Sequence, residues 1–94
     1  MQQRFSNEEL YAIRNRISVT KVIQEVLRIP NKEQEGFLRF LCPCCNEFRT
    51  SVHPTENLGR CFLCERNFNP IELVMAEKKL RFVDSVKLLK LYLQ

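Results

Sequence analysis

The sequence predicts an α+β fold, a small antiparallel sheet flanked in the chain by N-terminal and C-terminal helices. Three observations predict it. Capped, helix-periodic segments occupy both ends of the chain. Short apolar runs bounded by turn residues occupy its middle. Into that middle fall all five cysteines, as Cys42-Pro43-Cys44-Cys45 and Cys61-Phe62-Leu63-Cys64. With 94 residues, the expectation is one domain over 1–94, helical over 6–29, sheet over 37–66 and helical over 70–93.

Ser6-Asn7-Glu8-Glu9 is a capping box, with Ser6 as cap and Glu9 three residues on. The helix it opens carries Leu10, Ile13 and Ile17 on one face. A second helix follows with little pause, with Val19, Val22, Ile23, Val26 and Leu27 at helical spacing, and must stop by Pro30. Asn31 to Gly36 is polar and reads as a turn. Phe37 to Leu41 reads as a strand entering the first cysteine pair. Thr50 to His53 and Leu58 to Phe62 read as strands joined by a turn over Pro54 to Asn57. Asn69-Pro70-Ile71-Glu72 starts another helix, capped by Asn69 and stapled by Phe68 and Leu73, that runs to about Lys79. A last helix, Phe82 to Leu93, carries Phe82, Val86, Leu89 and Leu93 on one stripe.

Four of the cysteines spell C-x2-C, a gap of 15 residues, and C-x2-C, a spacing that reads as a structural zinc site. Each pair wraps a tight knuckle around one edge of a tetrahedral ion, and the gap suits the hairpin of a zinc ribbon. Cys42, Cys45, Cys61 and Cys64 are the candidate ligands for one structural Zn²⁺. Cys44 competes with its neighbour, but only Cys45 completes C-x2-C from Cys42, so Cys44 reads as a small, partly buried bystander. His53 has no partner at ligand spacing and is not included. Four thiolates leave no open position for water or substrate. The chain has only Gly36 and Gly59, too few for a phosphate-cradling loop, and its acidic residues are scattered. The expectation is therefore not an enzyme.

Fifteen basic and eleven acidic residues give a formal charge of +4, which falls to about +2 once four thiolates and a Zn²⁺ are counted. That balance permits a nucleic-acid partner without demanding one. No apolar run approaches the ~18 residues of a membrane span, no export signal is seen, and disulfides belong mainly to oxidising compartments. A cytoplasmic protein with no membrane partner and no small-molecule substrate is expected. Arg39, Arg49, Arg60 and Arg66 lie in or beside the expected sheet. If Arg39 and Arg60 point outward on neighbouring strands, they form a phosphate-tracking face with Phe37, Phe48 or Phe62 for base stacking. The competing reading places solvated arginines over a core of phenylalanines. The lysines and Arg81 near the C-terminus read as polar helix faces.

The order Cys42-Pro43-Cys44-Cys45-Asn46-Glu47, a short hairpin, Cys61-Phe62-Leu63-Cys64, then Asn69 to Met75 resembles the N-terminal zinc-binding domain of DnaG-type bacterial primases. The resemblance covers roughly residues 17–93. It implies a module that helps a primase engage single-stranded template, with catalysis in a separate domain. It also implies Phe48 or Arg49 as template contacts. The chain departs from the pattern in four places: Cys45 stands where the family usually has histidine, and the hairpin is about two residues shorter. Leu63 and Glu65 replace glycines flanking the last ligand, which predicts a distorted second knuckle. Gly59-Arg60 replaces an aromatic pair. The function expected is a stand-alone, single-stranded-DNA-binding accessory in primer synthesis, with Arg39, Phe48, Arg49, Arg60 and Arg66 as contacts and a primase catalytic subunit or a helicase as protein partner. The alternatives are a protein-interaction adaptor, suggested by the apolar stripe from Phe82 to Leu93, or the excised non-catalytic domain of a full primase.

Overall fold

Ser6 opens the first helix, α1 (Asn7–Arg16), as its capping box predicts. Its hydroxyl accepts the Glu9 N–H at 3.0 Å and the Glu9 carboxylate accepts the Ser6 N–H at 3.1 Å, a pairing of about 1 kcal/mol. The computed structural model describes residues 5–93. Ile13 and Ile17 are buried and Leu10 half-buried, so α1 presents the expected face. Ser18 then caps α2 (Val19–Lys21), which widens into a π-helical turn over Val22–Val26. A regular helix running on toward Pro30 is not formed. The Leu27 N–H reaches the Val22 carbonyl and the Ile29 N–H reaches the Ile23 carbonyl, both at 2.8 Å. Arg28 between them is left-handed, with φ 53°. The wider turn brings Ile29 back onto the core with Val22 and Ile23, all at most 2% exposed.

The sheet is an antiparallel meander of five strands in chain order: β1 (Asn31–Gln34), β2 (Phe37–Phe40), β3 (Thr50–Val52), β4 (Gly59–Cys61) and β5 (Arg66–Phe68). Two of these correct the sequence reading. Asn31 to Gln34 is a strand and only Glu35-Gly36 turns the chain; both have positive φ, 54° and 82°, between the paired Gln34 and Phe37. That is the type I′ hairpin, whose twist matches its strands. At the other edge Arg66–Phe68 adds a strand, so the sheet runs over 31–68 and not 37–66. Both strands lack the alternation that marks a half-buried strand, because β1 is almost wholly exposed and β5 buries only Phe68.

One face of the sheet packs on the helices through Phe40, Thr50, Cys61 and Phe68, each 0% exposed. Gly59 belongs to this face because a Cβ there would lie 2.7 Å from Cζ of Phe40. Behind it stand α3 (Pro70–Lys78) and α4 (Phe82–Lys90). Asn69 caps α3 as expected and also forms a capping box with Glu72, at 2.8 and 3.0 Å, and Phe68 and Leu73 on either side of the cap are fully buried. Left-handed Lys79 caps the C-terminus of α3. α4 ends at Lys90, short of the expected Leu93, and the N–H groups of Leu91, Tyr92 and Leu93 turn back to carbonyls three residues earlier. Val86 and Leu89 of its stripe are buried in this chain's own core, while Phe82 lies at its margin, 38% exposed.

Asn57 locks sheet to helices. Its Oδ1 accepts the Val19 N–H at 2.8 Å, and its Nδ2 donates to the Arg14 and Ile17 carbonyls at 2.7 Å each. Lys90 reaches Glu9 at 2.8 Å and holds its carboxyl below the usual range, helped by the Ser6 N–H. Both side chains are near 40% exposed, so water and salt screen the pair. No helix among the described residues is long and apolar enough to cross a membrane.

Candidate metal centre and basic face

Two knuckles converge at one end of the core. In the first, the Asn46 N–H closes onto the Cys42 carbonyl and the Cys42 N–H onto the Glu47 carbonyl, each at 3.0 Å. The second bridges β4 and β5, where Cys61 pairs with Arg66. Each knuckle aims a backbone N–H at its leading sulfur: Cys44 N to Cys42 Sγ at 3.4 Å, and Cys64 N to Cys61 Sγ at 3.3 Å. Asn46 and Glu65, the residues just after each pair, are left-handed, with φ 61° and 55°. The expected distortion of the second knuckle is thus absent. Glu65 adopts the conformation a glycine would take freely, at a cost of roughly 1 kcal/mol.

The structure brings Cys42, Cys45, Cys61 and Cys64 together, with all four sulfurs within 4.8 Å of one another. Cys42 to Cys64 is 3.8 Å and Cys45 to Cys61 is 3.7 Å. With Zn–S bonds of about 2.3 Å, a tetrahedron has an S···S edge of roughly 3.8 Å, which these two edges match, so the four cysteines are gathered as the ligands of one zinc ion. The thiols are electrically uneven before metal enters. Burial works to raise Cys61, yet the Cys64 N–H and the adjoining thiols hold it down to about 6. Burial and the thiols of Cys45, Cys61 and Cys42 push Cys64 up to about 12, and burial likewise raises Cys45. A cation entering here displaces protons from the higher thiols, which ties metal affinity to pH. Thr50 faces Cys61 across the ladder, fully buried.

Cys44 lies outside the cluster. It is exposed, not partly buried as expected, and its sulfur accepts from Nη1 of Arg66 at 3.2 Å. His53 is also outside, and its Nδ1 accepts the N–H groups of Thr55 and Glu56 at 3.2 and 3.0 Å, shaping the β3–β4 turn.

The opposite face of the sheet carries two of the five predicted contacts, Arg39 and Arg60. Register places Lys32, Arg39, Ser51, Arg60 and Asn67 in one row across all five strands. Arg39 and Arg60 are not on neighbouring strands as expected, since β3 and Ser51 lie between them. Arg60 is steadied by Asn67 Oδ1 at 3.2 Å. The rows on either side bring aromatics: Phe37 with His53, and Phe62, whose N–H bonds the Arg49 carbonyl at 3.0 Å. Phe37, Phe48 and Phe62 are all on the surface, the last 63% exposed, while Phe40 and Phe68 fill the core. Phe48 sits at the margin of the row, 5.3 Å from the Lys32 ammonium. Arg66 does not join this face. It pairs with Cys61 on the metal side and lies 4.9 Å over the Phe68 ring. The signals missed by sequence reasoning were β1, which adds Lys32, and Asn57, an unremarkable turn residue whose partners are about forty residues away.

A closed four-thiolate centre in an antiparallel meander between helices defines a zinc ribbon with one structural zinc. Comparison with known proteins agrees: the family model described as the CHC2 zinc finger, the zinc ribbon of DnaG, matches residues 5–94, and the chain belongs to that family. It is also similar to a DNA primase of Streptomyces coelicolor, 31% identical over 89 residues, which cover 93% of this chain and 14% of the primase. The chain therefore spans about a seventh of that relative's length. Within the CHC2 pattern, Cys45 makes the site all-sulfur and one charge more negative than a histidine would.

Proposed function

We propose that this chain is a non-catalytic module of primase-type DNA replication that binds single-stranded DNA across the open face of its sheet. The observation that carries the reading is the row of Lys32, Arg39 and Arg60, flanked by exposed Phe37 and Phe62 on the face turned away from the helices. Cations that track phosphates beside rings that stack unpaired bases are the two parts of a single-strand platform. Cys42, Cys45, Cys61 and Cys64 hold the zinc, which keeps the strands in place and has no position left for a substrate. Arg39, Arg60, Arg49 and Phe48 are the proposed contacts, and Arg66 steadies the knuckle. Membership of the primase zinc-finger family supports a replication role beside a separate catalytic or helicase subunit. Burial of Val86 and Leu89 in this chain's own core leaves less of the α4 stripe for the adaptor reading.

Fluorescence anisotropy with labelled single- and double-stranded oligonucleotides at two salt concentrations tests this. Single strands are expected to bind more tightly, with affinity falling as salt rises. Absence of salt-sensitive binding to single strands would overturn the proposal.

A further inference from the structure

The basic face contains a groove of about 300 Å³ lined by Phe37, Arg39, Ser51, His53, Arg60 and Phe62, with no carboxylate among its lining residues. Its layout follows from the ladder. The Arg39 and Arg60 backbones each lie one strand from Ser51, so about 10 Å separates them, within the joint reach of two arginine side chains. Phe37 and Phe62 stand two residues to either side of the arginine row, about 7 Å from it in opposite directions along the strands. The Nε of Arg39 is buried without a hydrogen-bond partner, so this guanidinium is already partly stripped of water and gains more from an anion than a solvated one. With Nδ1 of His53 committed to two N–H donors, its remaining proton is on Nε2, which adds a donor to the lining.

We propose that this groove is a subsite for one phosphodiester and its two flanking bases: the phosphate is held between Arg39 and Arg60, and the bases splay apart onto Phe37 and Phe62. The subsite rests on the single-strand reading above and adds a footprint and a division of labour to it. A paired strand cannot splay its bases, which gives the groove its preference for single strands. Arg60 occupies a position where the resemblance leads one to expect an aromatic ring, so in this chain the centre of the face grips phosphate and only its two ends stack.

The test measures binding of a fluorescein-labelled oligothymidylate to the zinc-loaded chain across a salt series. Phe62→Ala is expected to weaken binding about 5-fold or more at every salt concentration, leaving the log–log salt slope unchanged. Arg60→Gln is expected to weaken binding and flatten that slope by about 0.7, the loss of one phosphate contact. A wild-type NMR titration with the dinucleotide d(TpT), with thymidine monophosphate as control, serves if either variant loses zinc. The dinucleotide is expected to shift the amides of Phe37, Ser51 and Phe62 together, and the mononucleotide to shift them less. If the wild type binds the oligonucleotide while Arg60→Gln keeps the full slope, or d(TpT) shifts other residues, the subsite falls and the single-strand reading stands. If the wild type binds no oligonucleotide, that reading itself falls.

Discussion

The two ends of this molecule are held by different physics. Around α1, α3 and α4, Ile13, Leu73, Val74, Val86 and Leu89 are fully buried, and at roughly 1.5–3 kcal/mol for each buried side chain that end follows from apolar pattern alone. The knuckle end has short strands, three of them of three residues, with exposed Phe62 and Leu63 at one tip. Its buried groups include Thr50, which drives collapse poorly, and Cys42 and Cys61, which do little more for collapse but are well placed to hold a cation. A chain this short buries a modest core, so a metal that closes distant knuckles substitutes for apolar surface the sheet does not have. The same economy frees the outer sheet face, which leaves arginines and aromatic rings on the surface.

Removing a ligand should separate the two ends most sharply. Cys45→Ser is expected to abolish stoichiometric zinc and to leave sheet amides unprotected in hydrogen exchange, while α3 and α4 keep partial protection, because structural zinc supplies folding energy directly. Cys44→Ser, one position away, should retain a full equivalent of zinc by metal analysis; the reverse pattern would reassign the ligand. Next in size, Leu89→Ala should cost about 2–5 kcal/mol in denaturant unfolding with zinc present, yet keep the metal stoichiometry. Asn57→Ala probes the seam between the ends. Loss of its three hydrogen bonds is expected to cost about 1–3 kcal/mol and to raise exchange at the Val19 amide, with zinc retained. Smallest, and opposite in sign, Glu65→Gly should stabilise the zinc-loaded chain by up to about 1 kcal/mol, since it relieves a left-handed non-glycine. A loss of stability there would mean that the Glu65 side chain contributes more than its backbone conformation costs.

The sequence by itself determined what is local. A capping box at Ser6 and a cap at Asn69 followed by Pro70 placed helix starts, helical spacing selected Ile13, Val86 and Leu89, and paired C-x2-C spacing marked the ligands that the structure gathers within 4.8 Å. These signals act between residues a few positions apart, or through a metal whose geometry is known in advance. Only the tertiary structure decided the rest. Asn31 to Gln34 becomes a strand because β2 offers it a partner, not because its own polar residues prefer one. Arg66 turns to the metal side while Arg39 and Arg60 share a row, since strand register alone assigns each side chain to a face. Asn57 becomes the clamp between sheet and helices only once folding carries Arg14, Ile17 and Val19 to it.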